Sequence, residues 1–194
     1  MISERKLRRW LDTIVDGLLF YRHYEIKNLT YSIEQRVLEG CKLPTYFVKF
    51  TAELDEPVGL EMIVYPNSCF DFNDAVYSER FLARLTAQNI PDIIRATGAL
   101  IWANRLKALL PNNVTEVIHY LVYEGHRKRD SDSWIELYIQ PEWEYLGWVE
   151  LRPPKVSFFF RNAQRFGGAV ENLENVDFQE ALQIMRGVAL ALLL

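Results

Sequence analysis

The chain has 194 residues, with 22 Lys and Arg against 26 Asp and Glu, a formal charge of −4 and 49% hydrophobic residues. That length and apolar share fit a single globular α+β domain over 1–194 and exclude a disordered chain; the acidic balance excludes a polycation that holds nucleic acid by bulk charge. Two cysteines, Cys41 and Cys69, make neither a disulfide framework nor a paired-cysteine zinc site, so a reducing cytoplasm is the expected setting. No apolar run reaches the roughly 18 residues a membrane helix needs. The charged start (Glu4, Arg5, Lys6, Arg8, Arg9) lacks the pattern of a signal peptide.

Residues 3–24 read as a helix. Leu7, Leu11, Ile14, Val15, Leu18 and Leu19 recur on one helical face, and Ser3 is placed to cap it. Three strands follow in an antiparallel meander. In 29–37 Leu29, Tyr31, Ile33 and Val37 alternate with Thr30, Ser32, Glu34 and Arg36; in 45–54 Tyr46, Val48, Phe50, Ala52 and Leu54 share one face. The run 55–59 reads as a turn, and 60–65 as the returning strand.

A central helix pair is expected next. Asn73 or Asp74 would cap a first helix to about residue 88, with Tyr77, Phe81, Leu82 and Leu85 inward. Asn89-Ile90-Pro91 opens the second, which carries Ile93, Ile94, Thr97, Leu100, Ile101 and Leu109 as its stripe and ends at Pro111. Gly98 is either a point of close approach or a chance glycine. Strands return over 117–123, 133–140, 146–151 and 156–161, the last two as a hairpin around Pro153-Pro154. Gly167-Gly168 starts a loop, and Asp177 with Glu180 opens a C-terminal helix. The expected fold is α+β: a mostly antiparallel sheet of six or seven strands with an N-terminal helix, the central pair and a C-terminal helix.

Catalytic signatures are scarce. His23, His119, His126, Cys41 and Cys69 fall at no metal-ligand spacing, so neither a metal nor a cofactor is expected. Cys69 precedes the expected helix start, which would lower its thiol pKa, but Asp71 and Asp74 oppose that, and a small apolar filler explains it as well. Phosphate-cradling, serine-hydrolase and metalloprotease motifs are absent. Glu25-Ile26-Lys27 has no upstream strand to complete a nuclease-type site, and Glu150-Leu151-Arg152 offers an arginine, which does not serve as a base. The balance leans away from an enzyme.

Charge and aromatic residues are distributed more tellingly. Residues 1–27 hold six basic against four acidic groups and 28–75 three against eight; 76–130 hold eight against five and 131–194 five against nine. Arg5, Lys6, Arg8 and Arg9 oppose the dipole of their own helix, which reads either as a site for an anionic partner or as a solvated end. Arg127, Lys128 and Arg129 sit at an expected hairpin tip and read either as phosphate contacts or as solubilising charge. Trp134 and Tyr138 alternate with Glu136 and Gln140 on one strand face, and Trp143 and Trp148 follow closely. Such a face is either an interface core or is covered by one of the chain's own helices. The apolar end, including Leu192 and Leu193, either packs inward or docks on a partner.

Three functions follow in order: a non-catalytic interaction protein, as a subunit or adaptor of an assembly or as a homo-oligomer; a nucleic-acid-associated component, such as a subunit of a ribonucleoprotein effector; and an enzyme whose site one sequence does not reveal. No membrane partner is expected.

Overall fold

The computed structural model describes residues 2–77, 82–120, 122, 133–161 and 172–193. Helix α1 (Glu4–Phe20) starts where Ser3 accepts the Lys6 N–H through its hydroxyl at 3.3 Å, satisfying a donor the first turn would leave open. Leu7, Leu11, Ile14 and Leu18 form its buried face. The helix stops short of residue 24: a 3₁₀ turn, Arg22–Tyr24, carries Tyr24 into the core instead.

Strands β1 (Asn28–Arg36), β2 (Thr45–Glu53), β3 (Pro57–Val64) and β4 (Phe70–Phe72) make one antiparallel sheet in chain order. Its register sets Ile33 beside Val48, Val48 beside Met62, and Met62 beside Phe72. Side chains alternate between faces, so this register collects Val48, Phe50, Leu60, Met62, Phe70 and Phe72 on one buried layer. Strand β3 begins at Pro57, inside the stretch expected to be turn.

The expected helix over 73–88 is not formed in its described residues. Asn73 N–H donates to the Glu61 carbonyl at 2.9 Å, and β5 (Val76–Tyr77) runs parallel to the strand Val114–Tyr120. Residues 82–85 lie along the chain before β4: Phe70 N–H donates to Ala83 O at 3.0 Å and Leu85 N–H to Ser68 O at 2.9 Å. Here Ala83 and Leu85 are buried while Leu82 and Arg84 are exposed, a period of two that a helical reading of the same apolar residues overlooked. Phe81 lies outside the described residues.

Asn89 precedes α2 (Ile90–Lys107), with Pro91 in the first turn. Its side chain turns back to accept from the Thr86 N–H and hydroxyl, both at 3.0 Å, instead of capping the helix. The helix is buried almost all round, beyond the expected stripe: Ala96, Ala99, Trp102, Ala103 and Arg105 are also enclosed. It touches α1 and β3, and also the strands Val114–Tyr120, Ser133–Ile139 and Glu144–Arg152 and the helix Phe178–Ala191, so it is the spine between two sheets. Gly98 is the point of close approach, since a Cβ there would lie 2.5 Å from the Tyr24 ring. Trp102 stacks on Phe178 at 4.0 Å and donates its indole N–H to Tyr24 O at 2.7 Å. Arg105, whose side chain is 2% exposed, forms a two-point pair with Asp55 at 2.7 and 2.6 Å.

The second sheet has the order β10-β9-β8-β7-β6-β5, from β6 (Val114–Tyr120), β7 (Ser133–Ile139), β8 (Glu144–Arg152), β9 (Lys155–Phe160) and β10 (Asn172–Val176). All its neighbours are antiparallel except β5 and β6. Helix α3 (Phe178–Ala191) starts where Asp177 accepts the Glu180 N–H at 2.8 Å, and it buries Phe178, Leu182, Met185 and Val188. The architecture is α+β with N-terminal, central and C-terminal helices. Its ten described strands divide between two sheets, and one central helix stands where a pair was expected. No described helix is long and apolar enough to cross a membrane.

Candidate functional site

Strand pleating sorts the second sheet into two faces. Ile118, Ile135, Leu137, Val149, Leu151, Val156 and Phe158 point into the core. The alternate positions form the opposite face, which carries a concentration of aromatic rings: His119 on β6, Trp134 and Tyr138 on β7, Tyr145 and Trp148 on β8, Phe159 on β9. Most are half-buried and keep accessible surface.

Register brings four of the outward residues into a checkerboard. Trp134 is paired with Glu150 and Glu136 with Trp148, so two indoles occupy one diagonal and two carboxylates the other. Trp134, Glu136, Tyr145, Trp148 and Glu150 line an open groove of about 420 Å³. Each indole is backed from outside the square. His119 stacks on Trp134 at 4.7 Å and 8°, and Phe159 on Trp148 at 4.8 Å and 20°. Offset stacking of this kind stiffens the rings and leaves the remaining indole face toward the groove.

Tyr145 and Trp148 are three residues apart, a spacing that would set them on opposite faces of a regular strand. A bulge corrects this: Leu137 pairs with Gly147 but Tyr138 pairs with Tyr145, leaving Leu146 as the extra residue. Gly147 has φ +143°, and a Cβ there would lie 2.1 Å from the Phe159 carbonyl oxygen, so no other residue fits without moving backbone.

Glu136 is the polar centre. Its carboxylate accepts from the Tyr138 hydroxyl at 2.8 Å and from the Trp134 indole N–H at 3.4 Å, with His119 Nε2 at 3.6 Å. The hydrogen bond to Glu136 is the main cause that pushes the Tyr138 pKa up, and burial is the main cause for Tyr145. Glu150 pairs with Arg152 at 2.8 Å, and the Arg161 guanidinium lies 5.2 Å above the Tyr145 ring. This arrangement offers ring faces, two carboxylates and a rim that already attracts the chain's own arginines. Among the described residues, no three His, Cys, Asp or Glu side chains converge to hold a metal ion.

The structure gathers some of the expected interface and separates the rest. Trp134, Tyr138 and Trp148 share the face, and Trp143, 58% exposed, meets Tyr138 at 5.9 Å edge-on. Leu192 and Leu193 end a helix packed on the core side, with Leu192 half-buried and Leu193 exposed. They do not join the aromatic face. On α1, Arg5, Lys6, Arg8 and Arg9 are all exposed, and Arg8 is engaged by Glu4 at 2.9 and 2.7 Å. Arg127, Lys128 and Arg129 lie outside the described residues. Glu136 and Glu150 were visible in the sequence as alternating polar positions; their meeting with the indoles depends on the β7–β8 register and the bulge. No protein-family model matches the chain, and no curated protein or solved structure shows significant similarity to it.

Proposed function

We propose that the chain is a non-catalytic interaction protein, a subunit or adaptor that binds a protein partner through the outward face of its second sheet. The observation that carries this reading is the groove between Trp134 and Trp148. Large rigid aromatics with polar surrounds are the composition of interface centres, and an aromatic face left accessible has no role in the chain's own core. The partner is another protein or a second copy of the chain. The free thiols of Cys41 and Cys69 support a cytoplasmic setting.

Affinity capture from the native host, with bound proteins identified by mass spectrometry, tests it alongside light scattering of the purified chain. Trp134→Ala and Trp148→Ala should each lose a specific partner or lower the oligomeric mass. Identical recovery and mass for wild type and both variants would sink the reading.

A nucleic-acid-associated role is the second reading, and the exposed cations of α1 favour it. Glu136 and Glu150 argue against phosphate on the aromatic face, so binding would fall to Arg5, Lys6 and Arg9. Two or three phosphate contacts predict a slope of about −2 to −3 in log K against log salt. No mobility shift of RNA or DNA at low salt would remove this reading.

A further inference from the structure

We infer that the groove between the two indoles takes the methylated ammonium of a lysine side chain presented by the partner. This deepens the interface reading and rests on it. Trp134 and Trp148 are diagonal neighbours on paired strands, about 7–8 Å apart at the backbone, so a cation seated between them lies within the roughly 6 Å ring-centroid reach of both. Their outer faces are taken by His119 and Phe159, which leaves the negative inner faces toward the space between. Tyr145 adds a third ring to the lining, and Glu136 and Glu150 occupy the other two corners. Rings and carboxylates together favour a positive group, with Arg152 and Arg161 already drawn to the rim.

The hydrogen bonding selects among cations. Each oxygen of Glu136 already accepts one bond, from Trp134 or from Tyr138, and Glu150 is engaged by Arg152, so fewer acceptor sites remain for a new donor. A primary ammonium brings three N–H donors that need acceptors, and a guanidinium brings five in a planar fork. A trimethylated ammonium brings none. It keeps the full charge, is weakly hydrated, and is held by ring faces and carboxylate charge alone. The chain's own Arg161 shows the tendency at the rim, where its guanidinium lies over Tyr145. The groove is also open, as a side chain arriving on a partner's stem requires.

Isothermal titration of the full chain with capped trimethyllysine is the test, beside capped lysine, a neutral analogue with tert-butyl in place of the trimethylammonium group, and tetramethylammonium chloride. Trimethyllysine should bind about tenfold tighter than the neutral analogue and than unmodified lysine. It should also bind tighter than tetramethylammonium, because the stem adds contacts. Trp148→Ala should abolish binding, Glu136→Gln should weaken it several-fold, and Trp148→Phe, which keeps a ring and the fold, should retain part of it. Equal binding of the neutral analogue would show a merely apolar groove and overturn the inference. Tetramethylammonium binding as tightly as trimethyllysine would assign the site to free small cations and overturn it too. No heat with any probe at millimolar concentration, while capture of host partners still depends on Trp148, would end the cation inference and leave the interface standing. Partner capture independent of Trp148 would end both.

Discussion

The two sheets share a core and differ on their outward faces. On the first, Thr30, Ser32, Glu34, Lys49, Thr51, Glu53 and Glu61 alternate with the buried layer, and Lys49 stands between Ser32 and Glu61. Where an aromatic does occur there, at Phe47, Arg36 covers it at 4.6 Å. Small polar and mixed-charge residues are what water-facing strands ordinarily carry. The second sheet instead places Trp134, Tyr138, Tyr145, Trp148 and Phe159 outward, around two carboxylates. Apolar area kept accessible on one sheet, in a chain whose other sheet shows how such area is avoided, is the contrast on which the proposed recognition role rests.

The largest effects should come from the face the sheets have in common. Val48→Asp or Phe50→Asp puts a carboxylate where the side chain is fully enclosed, and should unfold the chain by circular dichroism at 25 °C. Lys49→Asp, one residue away, faces Glu61 and should cost under about 1 kcal/mol in a urea melt. Equal damage from all three would break the comparison at its root, since the two faces would not be distinct.

The α2 spine comes next. Asp55→Ala should cost about 3 kcal/mol, because it leaves the enclosed Arg105 without its two-point partner. The Asp55 pKa is held below the usual carboxylate range, chiefly by the Arg105 hydrogen bond. Its contribution is therefore present above the unfolded value of about pH 4 and lost as pH falls through the lowered one. The wild-type melting temperature should drop across that window more than that of Asp55→Asn. Gly98→Ala should cost about 1–3 kcal/mol, since the added methyl meets the Tyr24 ring at a spot with no room.

Smallest in stability, and sharpest for the comparison, is Trp148→Ala. Removing a half-buried ring from the outward face should cost only about 1 kcal/mol in a denaturant melt while removing partner recognition. A cost near that of the core variants would mean the aromatic face is structural, and the contrast between the sheets would lose its functional sense.

Several of these features were legible residue by residue. The caps Ser3 and Asp177, the buried alternation of β2 and the aromatic alternation of β7 all rest on spacing within one element, whereas the choice left open at Gly98 is decided by Tyr24, far off in the chain. The stretch 73–88 was not, because Ala83 and Leu85 gain burial by lying beside β4, an edge set by distant pairing with β3. Helix α2 was read as amphipathic because a stripe is all that periodicity reports; Trp102 is enclosed by Tyr24 and Phe178, far apart in the chain, and Arg105 is met by Asp55.

Local chemistry by itself determined where α1 and α3 begin, which residues of β2 share a face, and that aromatics alternate with polar residues on β7, since caps and pleats act over two to four residues. Tertiary structure decided that the strands split into two sheets around one helix, and that Trp134 and Trp148 meet across a diagonal with Glu136 and Glu150. Register between strands is set by the burial of whole layers and by one bulge at Leu146, and the alternation within a single strand does not specify which residue of its neighbour it will face.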